Sequence, residues 1–237
     1  MEFQHLVKKI VIVCCFVYFI YQVITQLSKS KNGNIEFINE EIVTMKSDRN
    51  TLNKRLPDAL IIGIMKAGTT MLLKYILTHP DVKGIETEEL NFFTTKFNKG
   101  LNWYINKMKP SREGEIVMEK SIYFHHKMAS QRIWKTFGKN IKLILIVKDP
   151  VERLLSHYAL LTGYHLIQQE FSKLAFTNEN GTLAVNAIWQ PVEIGNYADQ
   201  MKIWLSSGFD LSDFLIIDGH KFAQDPWPEL SFSFIQT

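Results

Sequence analysis

The sequence predicts an α/β fold with a central parallel sheet flanked by helices and a phosphate-loop-like anion site, preceded by an N-terminal membrane-anchor helix. Three observations lead to this prediction. An apolar, β-branched run at residues 59–64 passes through a glycine-bracketed bend into an amphipathic stretch. A second apolar run, at residues 141–147, passes directly into a helix-start signal. Strand-like and helix-like segments then alternate along the chain, which is typical of a parallel sheet covered by helices.

The N-terminal residues predict a membrane anchor. Lys8 and Lys9 precede an apolar run at residues 10–24, which is close to the lower length limit for a spanning helix. The alternative is a cleaved signal peptide. The favoured organisation is type II, with a cytoplasmic tail (1–9), a signal-anchor helix (10–27), a stem (28–56) and a luminal globular domain (57–237). Both cysteines, Cys14 and Cys15, lie in the anchor, so no disulfide is expected in the domain.

The elements of the domain follow in order from apolar periodicity and helix-start signals. Asp149 suits an N-cap, Pro150 the first helical position and Glu152 the capping-box position, so a helix begins there. The predicted strands are 59–64, 116–118, 141–147 and 214–217; the predicted helices are 71–78, 101–107, 128–137, one from residue 150 and 198–206. Residues 177–182 are predicted as a loop with the glycosylation sequon Asn180-Gly-Thr182, which fits a lumen. Three tryptophans are predicted to pack in the core or a groove: Trp189, Trp204 and Trp227.

The overall charge of the chain neither requires nor excludes most classes of binding partner. A formal charge of +3, with 27 basic and 24 acidic residues, does not require a polyanionic partner, so binding to one depends on local clusters of lysine. No nucleic-acid-binding motif is present, and nucleic acid is therefore not expected as a partner. Two basic clusters are candidates, and each is equally compatible with an ordinary solvated face. They are Lys96, Lys99, Lys107, Lys109 and Arg112, and Lys135, Lys139 and Lys142.

The first strand-to-helix turn has the character of a phosphate loop. The spacing from Gly63 to Gly68 matches a Walker A loop, but Thr69 follows the second glycine and Lys66 lies inside the bend. A lysine there reaches the bridging oxygen of a bound anion without a magnesium ion, so no metal is expected. The alternative is an ordinary βα turn with a solvated lysine.

The second turn predicts a partner for the first. Lys148 ends an apolar strand, and Arg153, Ser156 and His157 share one face of the following helix. Ligands of open α/β sheets bind at the carboxyl ends of strands, so the two turns together predict a cradle for a bis-phosphorylated nucleotide. In the alternative interpretation, Arg153 pairs on the surface with a neighbouring acid, Glu152 or Asp149.

A series of short motifs resembles one enzyme family. In chain order they are Lys-Ala-Gly-Thr-Thr at 66–70, His-Pro-Asp-Val at 79–82, Glu-Glu-Leu-Asn-Phe-Phe at 88–93, Gly-Leu-Asn-Trp-Tyr at 100–104, Glu-Lys-Ser at 119–121, Lys-Asp-Pro-Val-Glu-Arg at 148–153, Ser-His-Tyr at 156–158 and Asp-Pro-Trp-Pro-Glu at 225–229. The chain resembles the Golgi heparan sulfate sulfotransferases, and among these the glucosaminyl 3-O-sulfotransferases. The resemblance implies a sulfotransferase domain from about residue 57 and a Golgi membrane location.

The resemblance also implies a reaction and its residues. The family transfers a sulfuryl group from 3′-phosphoadenosine 5′-phosphosulfate (PAPS) to a glycosaminoglycan. By resemblance, Glu89 is the base, and Lys66 and Lys120 stabilise the leaving phosphate and the sulfuryl group. From the residues alone, Glu89 beside Glu88 reads as a solvated loop, and Lys120 as a surface lysine after a strand. The implied donor-binding residues are Lys66, Ala67, Gly68, Thr69 and Thr70 for the 5′-phosphosulfate, and Lys148 and Ser156 for the 3′-phosphate.

Departures from the family pattern leave several functions open. Thr70 and Asn91 are similar to the N-sulfotransferases, so transfer to the glucosamine nitrogen is the alternative to transfer to O3. Lys148 stands where the family usually has arginine, which predicts weaker 3′-phosphate binding. The family's cysteine hairpin and Lys-Gly-Arg loop have no counterpart before Thr237, which predicts a shortened isoform or an incomplete gene model. It also leaves open an alternative function as an inactive glycosaminoglycan-binding protein. A nucleotide kinase is a more distant alternative.

Overall fold

A parallel five-stranded sheet forms the centre of the computed structural model, which describes residues 51–179 and 181–226. Its strands are β1 (Ala59–Gly63), β2 (Val82–Gly84), β3 (Ile116–Lys120), β4 (Lys142–Val147) and β7 (Phe214–Asp218), in the spatial order β2-β3-β1-β4-β7. Strands β5 (Phe176–Glu179) and β6 (Thr182–Val185) form a separate antiparallel hairpin.

Helices connect and flank these strands. They are α1 (Thr69–Ile76), α2 (Gly100–Lys107), α3 (Lys127–Phe137), α4 (Pro150–Gly163), α5 (Phe171–Ala175), α6 (Gln190–Glu193), α7 (Tyr197–Ser206) and α8 (Gly219–Gln224). The predicted α/β fold with a central parallel sheet is confirmed. The predicted start of α4 is also correct, because the Asp149 side chain accepts hydrogen bonds from the amides of Val151 and Glu152.

Strands β1 and β4 are buried because their sequences are apolar, apart from the exposed Lys142 that begins β4. Every residue of β1 is buried, and β4 is buried from Leu143 to Ile146, as expected for parallel strands covered on both faces. Ile61 lies opposite Ile144, and the Ile64 amide donates to the Ile146 carbonyl at 2.9 Å. The chain leaves β1 toward β2 and β3 but leaves β4 toward β7. The carboxyl ends of β1 and β4 therefore form the topological switch point of the sheet, where ligands bind in this fold class.

Several elements differ from the sequence prediction. Strand β3 continues to Lys120, two residues beyond the predicted end, and β2 was not predicted because three residues are too short to show periodicity. Within the segment 177–182, which was predicted as a loop, residues 177–179 belong to strand β5 and Thr182 begins strand β6, because the polar composition of this segment hides a short hairpin. The helices α5, α6 and α8 were not predicted because each is too short to show a helical period.

The core packs on the sheet and includes one of the three predicted tryptophans. Trp204 is fully buried, with its indole N–H donating to the Phe124 carbonyl at 2.8 Å, whereas Trp189 is half-buried against Phe171. The end of the predicted stem already contacts the domain, since Asn53 and Ser111 exchange backbone hydrogen bonds.

Some predictions fall outside the described residues. They are the anchor and stem up to residue 50, both cysteines, the sequon Asn180 and Trp227 with the remainder of its motif. Between residues 51 and 226, position 180 excepted, no helix has the length and apolar character needed to cross a bilayer.

Candidate active site

The loop between β1 and α1 presents the free amino end of a helix. Lys66 adopts a left-handed conformation with φ 71°, and Gly68, at φ 116°, is the N-cap of α1. No described side chain caps this helix, so the amides of its first turn remain available to an anion. Ala67 and Thr69 are buried, while Thr70 is exposed on the first turn. The loop therefore offers the unpaired backbone amides of a helix amino terminus, which are the groups that an anion site requires.

Helix α8 supports this loop from behind. A Cβ atom on Gly219 would lie 2.6 Å from the Ala67 carbonyl oxygen and 2.8 Å from that of Val147. Only glycine permits such a close approach, so Gly219 holds α8 against both strand-to-helix corners at once.

The corner after β4 offers side chains rather than backbone amides. Asp149 already caps α4, so the first amides of that helix are engaged. Lys148 Nζ lies 2.9 Å from Glu152 Oε2, so Glu152 pairs with Lys148 instead of completing a capping box. The Lys148 carbonyl accepts a hydrogen bond from the Tyr197 hydroxyl at 2.9 Å, which ties this corner to α7. Ser156 is half-buried on the second turn of α4.

Arg153 is a buried cation, and the interpretation that it pairs on the surface with Glu152 or Asp149 is wrong. Its side chain is fully buried, one guanidinium nitrogen donates to the Pro191 carbonyl, and Nη1 lies 3.4 Å from His157 Nδ1. Its Nε has no hydrogen-bond partner in the described part of the chain. A buried guanidinium without a carboxylate favours a bound anion nearby.

The pKa of His157 responds to cations from both corners. Burial, with the charges of Arg153 and Lys66, lowers the pKa of His157 to about 4. The pKa of His125 is also lowered to about 4, first by burial and then by the charges of His126, Arg153 and His157. The contributions of Arg153 and Lys66 to the lowered pKa of His157 indicate that positive charge from both corners acts at this position.

A carboxylate and an ammonium group meet beside the first loop. Lys120 Nζ lies 2.7 Å from Glu89 Oε1 and 3.5 Å from the Thr70 hydroxyl. The Lys120 side chain is only 9% exposed and that of Glu89 is 33% exposed. The interpretation of Lys120 as a surface lysine is therefore wrong, because strand β3 extends far enough to carry it into the candidate site, whereas Glu89 lies in a loop and remains partly exposed.

Glu119 is a buried carboxyl that the sequence analysis left without a role. It accepts hydrogen bonds from the hydroxyls of Ser121, Tyr123 and Tyr104. Burial, which outweighs these hydrogen bonds, raises its pKa from 4.5 to about 7, with a smaller contribution from the charge of Glu89. An acidic residue inside an apolar strand was the available signal.

The hydroxyls bound to Glu119 also hold the loop that carries Glu89. The Asn91 amide donates to Ser121 Oγ at 2.9 Å, and the Phe92 amide donates to Tyr123 Oη at 3.1 Å. Asn91 itself has φ 51°, which turns the chain immediately after Glu89. The buried carboxyl thus positions the Glu89 loop through two hydroxyl groups. Among the residues that the structure describes, no group of three or more potential ligands could hold a metal ion.

Comparisons with known proteins identify the relatives of this chain. A model of the sulfotransferase domain matches residues 56–231. Heparan sulfate glucosamine 3-O-sulfotransferase 3A1 of Mus musculus is 37% identical over 179 residues, which is 75% of this chain and 44% of the relative. Heparan sulfate glucosamine 3-O-sulfotransferase 6 of Homo sapiens is 37% identical over 178 residues, which is 75% of this chain and 51% of the relative. The chain thus spans about half the length of these curated relatives.

One solved structure shares the fold. The crystal structure of a sulfotransferase from Alicyclobacillus acidocaldarius superimposes with a TM-score of 0.58 at 23% identity, covering 77% of this chain and 82% of that one. At this identity the likeness concerns the fold alone.

Proposed function

The chain belongs to the sulfotransferase family, and from that premise we propose that it transfers a sulfuryl group from PAPS to a glucosamine residue of heparan sulfate, most favourably at O3. The curated relatives named as heparan sulfate glucosamine 3-O-sulfotransferases support this acceptor. The observation that carries the proposal is the contact of Lys120 with both Glu89 and Thr70, because it places a candidate base beside an uncapped helix that can bind a phosphosulfate.

The residues present fit the donor. Bound PAPS supplies an activated sulfuryl group between an anionic 5′-phosphate and the acceptor. The 5′-phosphosulfate would be held by the backbone amides of Gly68, Thr69 and Thr70. Lys66 would add its positive charge, and Ala67 joins it to these amides. At the other corner, Lys148 and Ser156 would hold the 3′-phosphate. The positive charge near the buried guanidinium of Arg153 favours a ligand with this much negative charge.

Transfer then requires one proton acceptor and two cations. Glu89 accepts the proton of the acceptor hydroxyl as the new oxygen–sulfur bond forms, which makes it the general base. As the bond from sulfur to the phosphate oxygen breaks, Lys66 stabilises the charge that develops on that oxygen. Lys120 pairs with Glu89 in the structure, but its Nζ also lies close to the loop between β1 and α1. It could therefore turn from Glu89 to the sulfuryl oxygens and neutralise their charge.

The glucosamine nitrogen is the second candidate acceptor. The exposed Thr70 and the turn residue Asn91, whose side-chain amide donates to the Glu89 carbonyl at 3.4 Å, are the two residues that resemble N-sulfotransferases. Both flank the proposed base, so they lie where acceptor position is selected. An amine acceptor would use the same Glu89 carboxylate.

The test compares sulfate transfer by the wild-type chain, Glu89→Gln and the control Glu86→Gln. Labelled PAPS and N-deacetylated or fully processed heparan sulfate serve as substrates, and disaccharide analysis identifies the modified atom. We expect Glu89→Gln to lower transfer about 10²- to 10⁴-fold while adenosine 3′,5′-bisphosphate still binds by calorimetry. Glu86 is an exposed carboxylate close in the chain, and its replacement should leave the rate unchanged.

The other outcomes refute the proposal in distinct ways. Heparin binding without any transfer by the wild-type chain would make it a glycosaminoglycan-binding protein. Hydrolysis of ATP would make it a nucleotide-using enzyme of another kind. Equal rates for Glu89→Gln and Glu86→Gln would remove Glu89 from the base role.

The Golgi membrane location and type II orientation rest on residues 1–27, which lie outside the described residues, and on the family resemblance. We propose them for the same chain. Protease protection of the domain in intact Golgi vesicles tests the orientation, and digestion without detergent would refute it.

A further inference from the structure

Three lysines surround one tryptophan on helix α2. The Nζ atoms of Lys99, Lys107 and Lys96 lie 4.9, 5.6 and 5.7 Å from the centroid of the Trp103 ring. Trp103 is half-buried, and it stacks on the core ring of Phe92 with the planes inclined at 22°. The core therefore fixes the indole, and the indole holds three ammonium groups together at the surface. These four residues are called the lysine–tryptophan patch below.

The patch carries more positive charge than its surroundings neutralise. Lys107 Nζ lies 3.4 Å from Glu88 Oε1, but no carboxylate in the described part of the chain pairs with Lys96 or Lys99. Cation–π contacts at exposed positions are weaker than charge-assisted hydrogen bonds to an anion. The ammonium groups can therefore leave the ring face for the anionic groups of a ligand.

The patch is continuous with the candidate active site. Glu88, which pairs with Lys107, precedes Glu89 in the chain, and Glu89 pairs with Lys120. Phe92, under the Trp103 ring, belongs to the loop that Tyr123 holds by its hydroxyl group. A linear chain with one sugar at Glu89 could therefore lie across the lysines on its way out of the site.

The second basic cluster, Lys135, Lys139 and Lys142, differs from the patch at two of its three lysines. Lys139 pairs with Asp210 at 2.5 Å and with Asp213 at 2.9 Å, so two carboxylates neutralise it. Lys142 begins strand β4, at the edge of the sheet opposite to the carboxyl ends that form the site. This cluster is therefore a matched control.

We propose that the lysine–tryptophan patch binds the anionic groups of a sulfated, linear glycosaminoglycan on the sugars that flank the acceptor residue. The proposal rests on the proposed function for the identity of the polyanion. Binding there lowers KM for a polymer without entering the chemical step, because no residue of the patch contacts the reacting atoms.

The experiment uses the full chain with two double variants of equal charge, Lys96→Ala/Lys99→Ala and Lys135→Ala/Lys142→Ala. Binding of a heparin octasaccharide is measured over a range of NaCl concentrations, together with KM and kcat for heparan sulfate. We expect the patch variant to bind heparin about tenfold more weakly, with the slope of log Kd against log salt lower by about one to two. Its KM should rise while kcat and the affinity for adenosine 3′,5′-bisphosphate stay unchanged, and the control should match the wild type.

Equal losses in both variants, or no loss in the patch variant, would overturn the inference. The failure of the proposed function looks different. A wild-type chain that binds heparin through the patch but transfers no sulfate refutes the transfer reaction and supports the patch. A chain that transfers sulfate with the same KM in all three forms supports the reaction and refutes the patch.

Discussion

Replacing Glu119 with glutamine probes the buried carboxyl that positions the Glu89 loop. Because Glu119 is buried, its pKa rises from 4.5 to about 7 in the folded chain. This rise corresponds to roughly 3 kcal/mol of preference for the protonated carboxyl. A group whose pKa is raised on folding stabilises the folded state fully below its unfolded pKa. That contribution is lost as the pH rises through 4.5 toward about 7, and above this range it stays lost.

Glutamine has no proton to lose, so the variant should lack this pH dependence. Near pH 4 we expect it to be about 1 kcal/mol less stable than the wild type, because its amide nitrogen cannot accept the hydroxyl hydrogen bonds that an oxygen accepts. Between about pH 4 and about pH 8 the difference in unfolding free energy should move by roughly 3 kcal/mol in favour of the variant. The variant should therefore be the more stable protein in mildly alkaline buffer.

Urea unfolding of both proteins across this pH range measures the difference directly. The lowered pKa values of His125 and His157 give both proteins the same opposing trend, so these histidines cancel in the comparison. Glu113→Gln removes an exposed carboxylate and serves as the control for the loss of one negative charge. Parallel stability profiles for wild type and Glu119→Gln would refute the reasoning, since they would show that Glu119 has no raised pKa.

Three further perturbations test the anion site by calorimetric titration with adenosine 3′,5′-bisphosphate. Gly219→Ala places a Cβ 2.6 Å from a loop carbonyl, so the affinity for the nucleotide should fall about tenfold and the free energy of unfolding by about 1 to 3 kcal/mol. The control Gly163→Ala places a Cβ that meets nothing within 4 Å, so it should change neither quantity. Equal effects of the two substitutions would contradict the packing argument. Glu152→Gln frees Lys148 from its 2.9 Å ion pair and should raise the affinity for the nucleotide about threefold, while Lys148→Ala should lower this affinity about tenfold. If neither substitution changes the affinity, the 3′-phosphate binds elsewhere. A bound anion raises the pKa of His157 from about 4, so the affinity for the nucleotide should increase as pH falls from about 7 to about 5. If His157→Asn shows the same dependence of affinity on pH, His157 is not the group responsible.

Local patterns in the chain were sufficient for the frame of the site. Strands β1 and β4 are continuous apolar runs, and the start of α4 follows from Asp149 and Pro150, whose roles depend on residues within one turn. The bend with Lys66 and Gly68 is likewise a local feature. Parallel pairing then brings the two corners together, because adjacent parallel strands end at the same edge of the sheet.

Distant contacts could not be predicted from these patterns. Glu89 and Lys120 are 31 residues apart in the chain, and their ion pair depends on how far β3 extends. The close approach of Gly219 to the first loop joins residues from opposite ends of the domain. The two basic clusters looked equivalent in the sequence, yet Asp210 and Asp213 neutralise Lys139 of one cluster, whereas Lys107 of the other pairs with Glu88, next to the proposed base.

Order along the chain therefore determined the α/β fold and predicted the two strand-to-helix corners of the candidate site, because backbone conformation and helix capping depend on near neighbours. Folding in three dimensions established which charges are buried, which are paired and which remain open to a polyanion. Desolvation and Coulomb interactions act between groups that are close in space, whatever their separation in sequence, and for this reason the roles of Glu119, Arg153 and Trp103 became visible only in the folded chain.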